Sequence, residues 1–151
     1  MIKAEVLVDN SAWKKKITDS SALFNRILKN LPKKYSFKNK KIIVTVLLSN
    51  NLKIKQLNKI FRKKNKPTDI LSFPINKKVN NKIFYLGDII ISYEFMNKPK
   101  KINFIEFKEK VTKIFIHGFL HLMGYNHRKN KDFEKMNKEE IKLYNLVKNK
   151  I

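Results

Sequence analysis

Apolar and polar positions alternate strictly at the start of the chain. Ile2, Ala4, Val6 and Val8 share one face, a period-two pattern that predicts a strand. Asp9-Asn10-Ser11 ends it. Ser20-Ser21 can cap a helix carrying Leu23, Phe24, Ile27, Leu28 and Leu31, with Pro32 just beyond its end. The β-branched run Ile42–Leu48 predicts a central strand, and Ser49-Asn50-Asn51 a stop and cap. A second amphipathic helix follows, with Leu52, Ile54, Leu57, Ile60 and Phe61 inward, fading near Arg62. A polar loop, 62–68, leads to a short strand over Asp69–Pro74. Asn76–Lys82 reads as a turn, and Ile83–Leu86 with Asp88–Ser92 as one strand or two, broken at Gly87. Tyr93–Lys101 reads as irregular. Phe107, Val111, Ile114, Phe115, Phe119 and Leu122 then recur at threes and fours, predicting a long helix from about Phe104 to Met123. A last helix runs from about Lys131 to Lys148, with Phe133, Met136, Ile141, Tyr144 and Val147 on one side. The order is β-α-β-α-β-β-α-α. It predicts an α+β (α/β-like) fold in which a small central sheet is packed with helices. There is no internal repeat and no linker-like stretch, so residues 1–151 read as a single domain.

Charge changes the picture. Lys and Arg number 35 against 12 Asp and Glu, a formal net charge of +23. Such a field favours polyanions, nucleic acid first. Part of it is also what an AT-rich coding sequence imposes, since most of the charge is Lys and the chain is crowded with Asn and Ile. Residues 20–68 carry 14 Lys and Arg and no acid. The densest pieces are Lys33–Lys41 and Arg62–Lys66. There is no cysteine, which excludes disulfides, thiolate metal sites and Cys nucleophiles. The N-terminus lacks a signal peptide's apolar run, and no segment offers the roughly 20 apolar residues of a membrane span. A soluble, cytoplasmic protein is the expectation.

All 3 histidines and two of the 3 glycines fall within His117-Gly-Phe-Leu-His121-Leu-Met-Gly124-Tyr-Asn-His127. His117 and His121 are four apart, so a helix projects both from one face. Gly124 can end that helix through a left-handed residue. The chain can then turn back and bring His127 to the same point. Three imidazoles without a thiolate are the ligand set of an open, catalytic zinc site, with one ion per chain. The spacing His-x3-His-x2-Gly-x2-His is also that of metzincin peptidases. Those enzymes place a Glu general base directly after the first His. Here that position is Gly118, which moves no proton and instead allows close approach of another backbone or a substrate.

The stretch HGFLHLMGYNH resembles the signature H-G-x-L-H-L-x-G-Y-D-H of the YbeY-type endoribonucleases, bacterial ribosomal-RNA maturation factors. Leu57–Pro74 resembles that family's Leu-Asn, Arg and Pro-Thr-Asp-Val-Leu-Ser-Phe-Pro segment, and Leu86–Ser92 its Leu-Gly-Asp-Ile strand. Met136 with Glu139 and Glu140 fits its C-terminal helix. The resemblance is specific in these blocks and loose before residue 50. It implies a zinc-dependent, single-strand-specific endoribonuclease acting in 16S rRNA 3′-end maturation and late 70S ribosome quality control. It makes His117, His121 and His127 the zinc ligands and places Arg62 on the family's functional arginine. One position departs: the signature's Asp before the last His is Asn126 here, which keeps an acceptor oxygen and loses the charge.

Candidate chemistry follows. Arg62, one of only three arginines, offers a planar fork matched to phosphate oxygens. Asn126, Asp69 and Asp88 are candidates for holding a ligand histidine, and either Asp could instead act as a base. Lys63, Lys64 and Lys66 beside Arg62 are candidate RNA contacts. Tyr125 could stack on a base or pack at the helix end. The expected partners are single-stranded RNA and the ribosome. Two other readings remain open at this level: a zinc metallopeptidase-like hydrolase, and a non-catalytic, zinc-containing ribosome-assembly factor.

Overall fold

The computed structural model describes residues 1–37 and 39–151. The first strand, β1 (Ile2–Val8), buries Ile2 and Ala4 and exposes Lys3, Glu5 and Leu7, as its alternation requires. Then come α1 (Ala12–Lys16), α2 (Ser20–Lys29), a 3-10 turn (Lys33–Tyr35), β2 (Lys41–Ser49) and α3 (Asn51–Arg62). The second half holds β3 (Ile70–Lys78), β4 (Ile83–Ser92), α4 (Tyr93–Met96), α5 (Phe104–Leu122) and α6 (Asn130–Val147). The four strands form one sheet in the order β1-β2-β4-β3. β2 runs parallel to both β1 and β4, and β3 is antiparallel to β4. The architecture is α+β in one domain, as the element order predicts.

One face of the sheet carries the main core. Ile42, Val44, Val46 and Leu48 of β2 meet Phe24 and Ile27 of α2 and Phe107, Phe115 and Phe119 of α5. α6 closes over α5 with Met136, Leu143 and Val147. On the opposite face α3 covers a smaller patch, where Ile54 packs on Leu71 and Ile90. That patch is narrow, so α3 uses only part of its apolar content. Leu52, Ile60 and Phe61, expected inward, are 69%, 68% and 64% exposed. Phe133 and Ile141 of α6 are likewise exposed, because only one strip of that helix reaches α5.

Local chemistry explains the boundaries. Asp19, rather than Ser20 or Ser21, caps α2 by accepting from Ala22 N at 2.9 Å. Asn50 caps α3 and Asn103 caps α5 in the same way. Lys63, with φ 57°, closes α3. Two short helices stand where the pattern predicts none. α1 is a single turn pinned by buried Trp13, whose Nε1 donates to Ser49 O at 2.8 Å. α4 is one turn directly after β4. The turn expected at Asn76–Lys82 is shorter, since β3 continues to Lys78. β4 runs unbroken through Gly87. The interruption read there is a bulge, where the β2–β4 register shifts between Ile43 and Val44. Gly87 has φ +153°, and a Cβ there would lie 2.3 Å from Phe73 O. No helix among the described residues is long and apolar enough to cross a membrane.

Candidate metal centre and active site

The last turns of α5 carry His117 and His121, held firm because Phe115, Phe119, Leu120 and Leu122 are buried. Gly118 is buried between the two histidines. A Cβ there would come within 2.5 Å of Ile70 Cδ1 and 2.9 Å of Ser72 Oγ. The close neighbours of this glycine are side chains of β3 rather than a backbone, and Ser72 Oγ donates to Gly118 O at 3.3 Å. The helix ends in a paired-bond C-cap. Gly124 N donates to His121 O at 3.1 Å and Tyr125 N to Leu120 O at 3.0 Å. Gly124 has φ +94° with nothing near its missing Cβ, so backbone conformation alone demands glycine. The chain reverses as expected and delivers His127. Its ring centroid lies 5.0 Å from that of His121 and 5.7 Å from that of His117. One ring nitrogen from each of the three histidines falls within 4.8 Å of the others.

Two outer contacts decide which nitrogens face the centre. His117 Nδ1 lies 2.5 Å from Glu140 Oε1 on α6. His121 Nδ1 lies 3.0 Å from the Tyr125 carbonyl oxygen. A carbonyl and a carboxylate accept, so both Nδ1 atoms carry the proton and donate. Each Nε2 is left as a free lone pair. Those two Nε2 atoms lie 3.0 Å apart. Tetrahedral ligands at roughly 2.1 Å from zinc stand roughly 3.4 Å apart; the Nε2 pair is a little closer than that and the three nitrogens together lie within 4.8 Å, so the donor set fits a bound cation once the rings shift. Two lone pairs facing each other at 3.0 Å call for a cation between them, a shared proton or a metal ion. Burial, then the neighbouring His117, lowers the His121 pKa and keeps the ring neutral, the form that binds metal.

A cavity of about 470 Å³ opens in front of the three imidazoles. Arg62, Thr68, Asp69, Ser72 and Asn126 line it too. Arg62 reaches it from the last residue of α3. Its Nη2 donates to Ser72 O at 3.2 Å, and the guanidinium carbon lies 6.0 Å from the centre of the Phe73 ring. One of five donors is thus used for positioning, and others remain for a ligand.

The remaining expected residues divide. Asp69 lines the cavity, and its carboxylate accepts from Ile70 N and Thr68 Oγ1. Asn126 lines it too, and its Oδ1 accepts from Arg128 N at 3.4 Å, a contact that shapes the turn. Asp88 does not line it. It accepts from the Tyr85 hydroxyl, which also bonds Thr45. Burial, followed by the Asp88 bond, pushes the Tyr85 hydroxyl up to about 12. Lys64 and Lys66 border a second cavity that adjoins the first at Arg62, while Lys63 lines neither. Tyr125 contributes its backbone carbonyl. On α5, Phe107 and Phe115 are core and Phe104 is exposed.

Among the described residues, the carboxylate in hydrogen-bond contact with a histidine of this cluster is Glu140, while Asp69 and Asp88 bond to neighbouring hydroxyl and amide groups. Glu140 stands 23 positions from His117, too far for any local motif to join them. The resemblance marks it together with Met136 and Glu139 on the C-terminal helix, but nothing in the sequence assigns it to His117.

Comparisons with known proteins place the chain in a family. The family described as Endoribonuclease YbeY matches residues 7–148. A protein named Endoribonuclease YbeY from Pelagibacter ubique (strain HTCC1062) is 61% identical over 152 residues, covering 100% of this chain and 99% of that protein. A protein of the same name from Sulfurihydrogenibium sp. is 31% identical, covering 89% of this chain and 86% of that one. The Buchnera aphidicola protein of that name is 40% identical over 76% of this chain and 81% of its own. The fold is also that of a Thermotoga maritima protein solved in solution, with TM-score 0.55 and 24% identity, covering 97% of this chain and 89% of that chain. A family profile matching residues 7–148 and a relative matched end to end make this protein a member of the YbeY endoribonuclease family.

Proposed function

We propose that this protein is a zinc-dependent endoribonuclease that cuts single-stranded RNA in the cytoplasm. Its role would be 3′-end maturation of 16S rRNA and late quality control of the 70S ribosome. Family membership supports RNA cleavage. The observation that carries the metal part is the convergence of three histidines, two of them oriented by Glu140 and the Tyr125 carbonyl.

His117, His121 and His127 would hold the ion, leaving a coordination position open to the cavity. A bound zinc would polarise a phosphoryl oxygen and make hydroxide accessible near neutral pH. The protein's own groups supply the rest. Arg62 presents its free donors to phosphate oxygens and stabilises charge as it builds there. Its bond to Ser72 O keeps the guanidinium at the cavity wall. Glu140 prevents His117 from rotating and makes its Nε2 a better donor. Lysines around the mouth draw the polyanion in.

The test is cleavage of end-labelled single-stranded RNA by protein of measured zinc content. Cleavage should stop with chelator, return with zinc, spare a duplex of the same sequence, and be lost in His121→Ala. Stoichiometric zinc with intact RNA would favour a structural role in a ribosome-assembly factor, the reading that Asn126 motivates. Peptide cleavage without RNA cleavage would favour the peptidase reading. The position of a peptidase's base counts against that reading, because it is Gly118, which carries no side chain, and a Cβ there would require Ile70 and Ser72 to shift.

A further inference from the structure

The metal cavity has a neighbour. A second cavity, of about 390 Å³, shares Arg62, Thr68, Asp69 and Ile70 with it and extends toward Lys64, Lys66 and Phe95. Its size is within the range that holds small ligands. Arg62 is therefore a ridge between two adjoining chambers rather than the edge of one.

The second chamber is built, not merely enclosed by loose lysines. Asn58 is buried at 2% exposure in the helix above it. Asn58 Nδ2 donates to Lys66 O at 2.8 Å, and Asn58 O accepts from Lys64 N at 3.2 Å. Lys63 takes the left-handed conformation that reverses the chain. These contacts fix the segment so that Lys64 and Lys66 border the chamber while Lys63 does not. Among the described residues neither Lys64 nor Lys66 is ion-paired. Asp69, the one acid on the wall, already accepts two local hydrogen bonds. Phe95 is half-buried there, with Lys98 Nζ 4.7 Å from its ring centre. Cations beside an aromatic ring, continuous with a phosphate-binding guanidinium, are what a nucleotide unit needs: charge for phosphate and a face for the base.

We infer that this chamber is a second nucleotide subsite, which takes the nucleotide flanking the one at the metal cavity. Lys64 and Lys66 would contact its phosphates and Phe95 its base, with Arg62 gripping the phosphate between the two units. The inference rests on the RNA-cleaving function proposed above and adds a consequence. The strand must pass two chambers in succession, which an extended single strand can do and a base-paired helix cannot. It also separates Lys64 and Lys66 from the general positive field.

The experiment is steady-state cleavage of two-nucleotide and six-nucleotide single-stranded RNAs by the zinc-loaded protein at several salt concentrations. Three variants are compared with the parent: Lys64→Gln/Lys66→Gln, Phe95→Leu, and Lys55→Gln/Lys59→Gln as a charge-matched change on α3. For the double change at 64 and 66, KM for the six-mer should rise about ten-fold with kcat within about two-fold, and the salt slope of log(kcat/KM) should shrink by about 1.4, at ~0.7 per phosphate contact. The two-mer should gain far less from these residues. Phe95→Leu should raise KM for the six-mer about three-fold or more without changing the salt slope. Equal effects from the α3 pair would overturn the subsite, because diffuse charge would then explain everything. A six-mer KM unchanged by both subsite variants would overturn it as well, while leaving the nuclease reading intact. A parent protein that cleaves neither RNA would remove both.

Discussion

Glu140→Gln tests whether the outer carboxylate sets the metal site. The substitution keeps the shape and an acceptor oxygen and removes the charge. The Glu140 Oε1–His117 Nδ1 separation is 2.5 Å, and both side chains are 27% exposed. A hydrogen bond to a charged group contributes about 1.5–3 kcal/mol, and a neutral one about 0.5–1.5 kcal/mol. Partial exposure screens the charge, so a difference of about 1 kcal/mol is expected, or roughly five-fold weaker zinc binding. Glu140→Ala leaves His117 free to turn and should cost roughly 10–100-fold. The assay is competition for zinc against a fluorescent chelator, with the melting temperature of the zinc-free protein as a control for folding. Zinc affinity within two-fold of the parent in Glu140→Ala, in a normally folded protein, would refute the role given to this carboxylate.

Other expectations follow from single contacts. Gly87→Ala should lower stability by more than about 2 kcal/mol in urea unfolding, since its Cβ meets backbone oxygen and its φ is unsuited to alanine. Arg62→Lys should keep the fold and the zinc yet lose most of the cleavage rate, because the bidentate fork is gone; unchanged turnover would remove Arg62 from the mechanism. Asn126→Asp restores a negative charge on the cavity wall and should tighten zinc binding in the same competition assay; equal affinity would show that the residue serves only the turn. Glu139 gives a pH test. Burial alone would raise its pKa, but bonds from Lys34 and Tyr35 outweigh it and hold the carboxyl below 4.5. A depressed carboxyl adds stability above its unfolded value that is lost as pH falls through the folded one. The unfolding free energy measured as pH drops below the ordinary carboxyl range should therefore fall less steeply for Glu139→Gln than for the parent.

Much of the fold was legible because local and long-range demands coincide in it. The alternation of Ile2–Val8 is that of a strand with one buried face, and the β-branched run Ile42–Leu48 became the central β2. α5 was legible for the same reason, since its apolar repeat meets a continuous core. Where the partner surface is small, periodicity over-promised. α3 has apolar residues enough for a wide stripe, yet the far face of the sheet accepts little more than Ile54 and Leu57. Single-turn helices such as α1 carry no periodic signal at all. α1 exists because Trp13 finds a buried slot and a carbonyl 36 residues away, facts that no window of sequence contains.

The candidate site divides along the same line. The spacing of His117 and His121, the left-handed Gly124 and the return of His127 are all written within eleven residues, and each took its expected place. Gly118 was legible only in part: a missing side chain implied a close neighbour, but only the topology makes that neighbour β3. Asp69 and Asp88 part company: Asp88 bonds the Tyr85 hydroxyl away from the cavity, whereas Asp69 lines the cavity with Oδ1 accepting from Ile70 N and Thr68 Oγ1. Glu140 lies in a crowd of charges on an exposed helix, where nothing local separates it from Glu139. Only the packing of α6 on α5 does so, sending one acid to His117 and its neighbour to Lys34 and Tyr35. First ligands can be read from a helix because its geometry is local. The groups that orient them must approach from other elements, so sequence spacing says least about the residues that tune the metal.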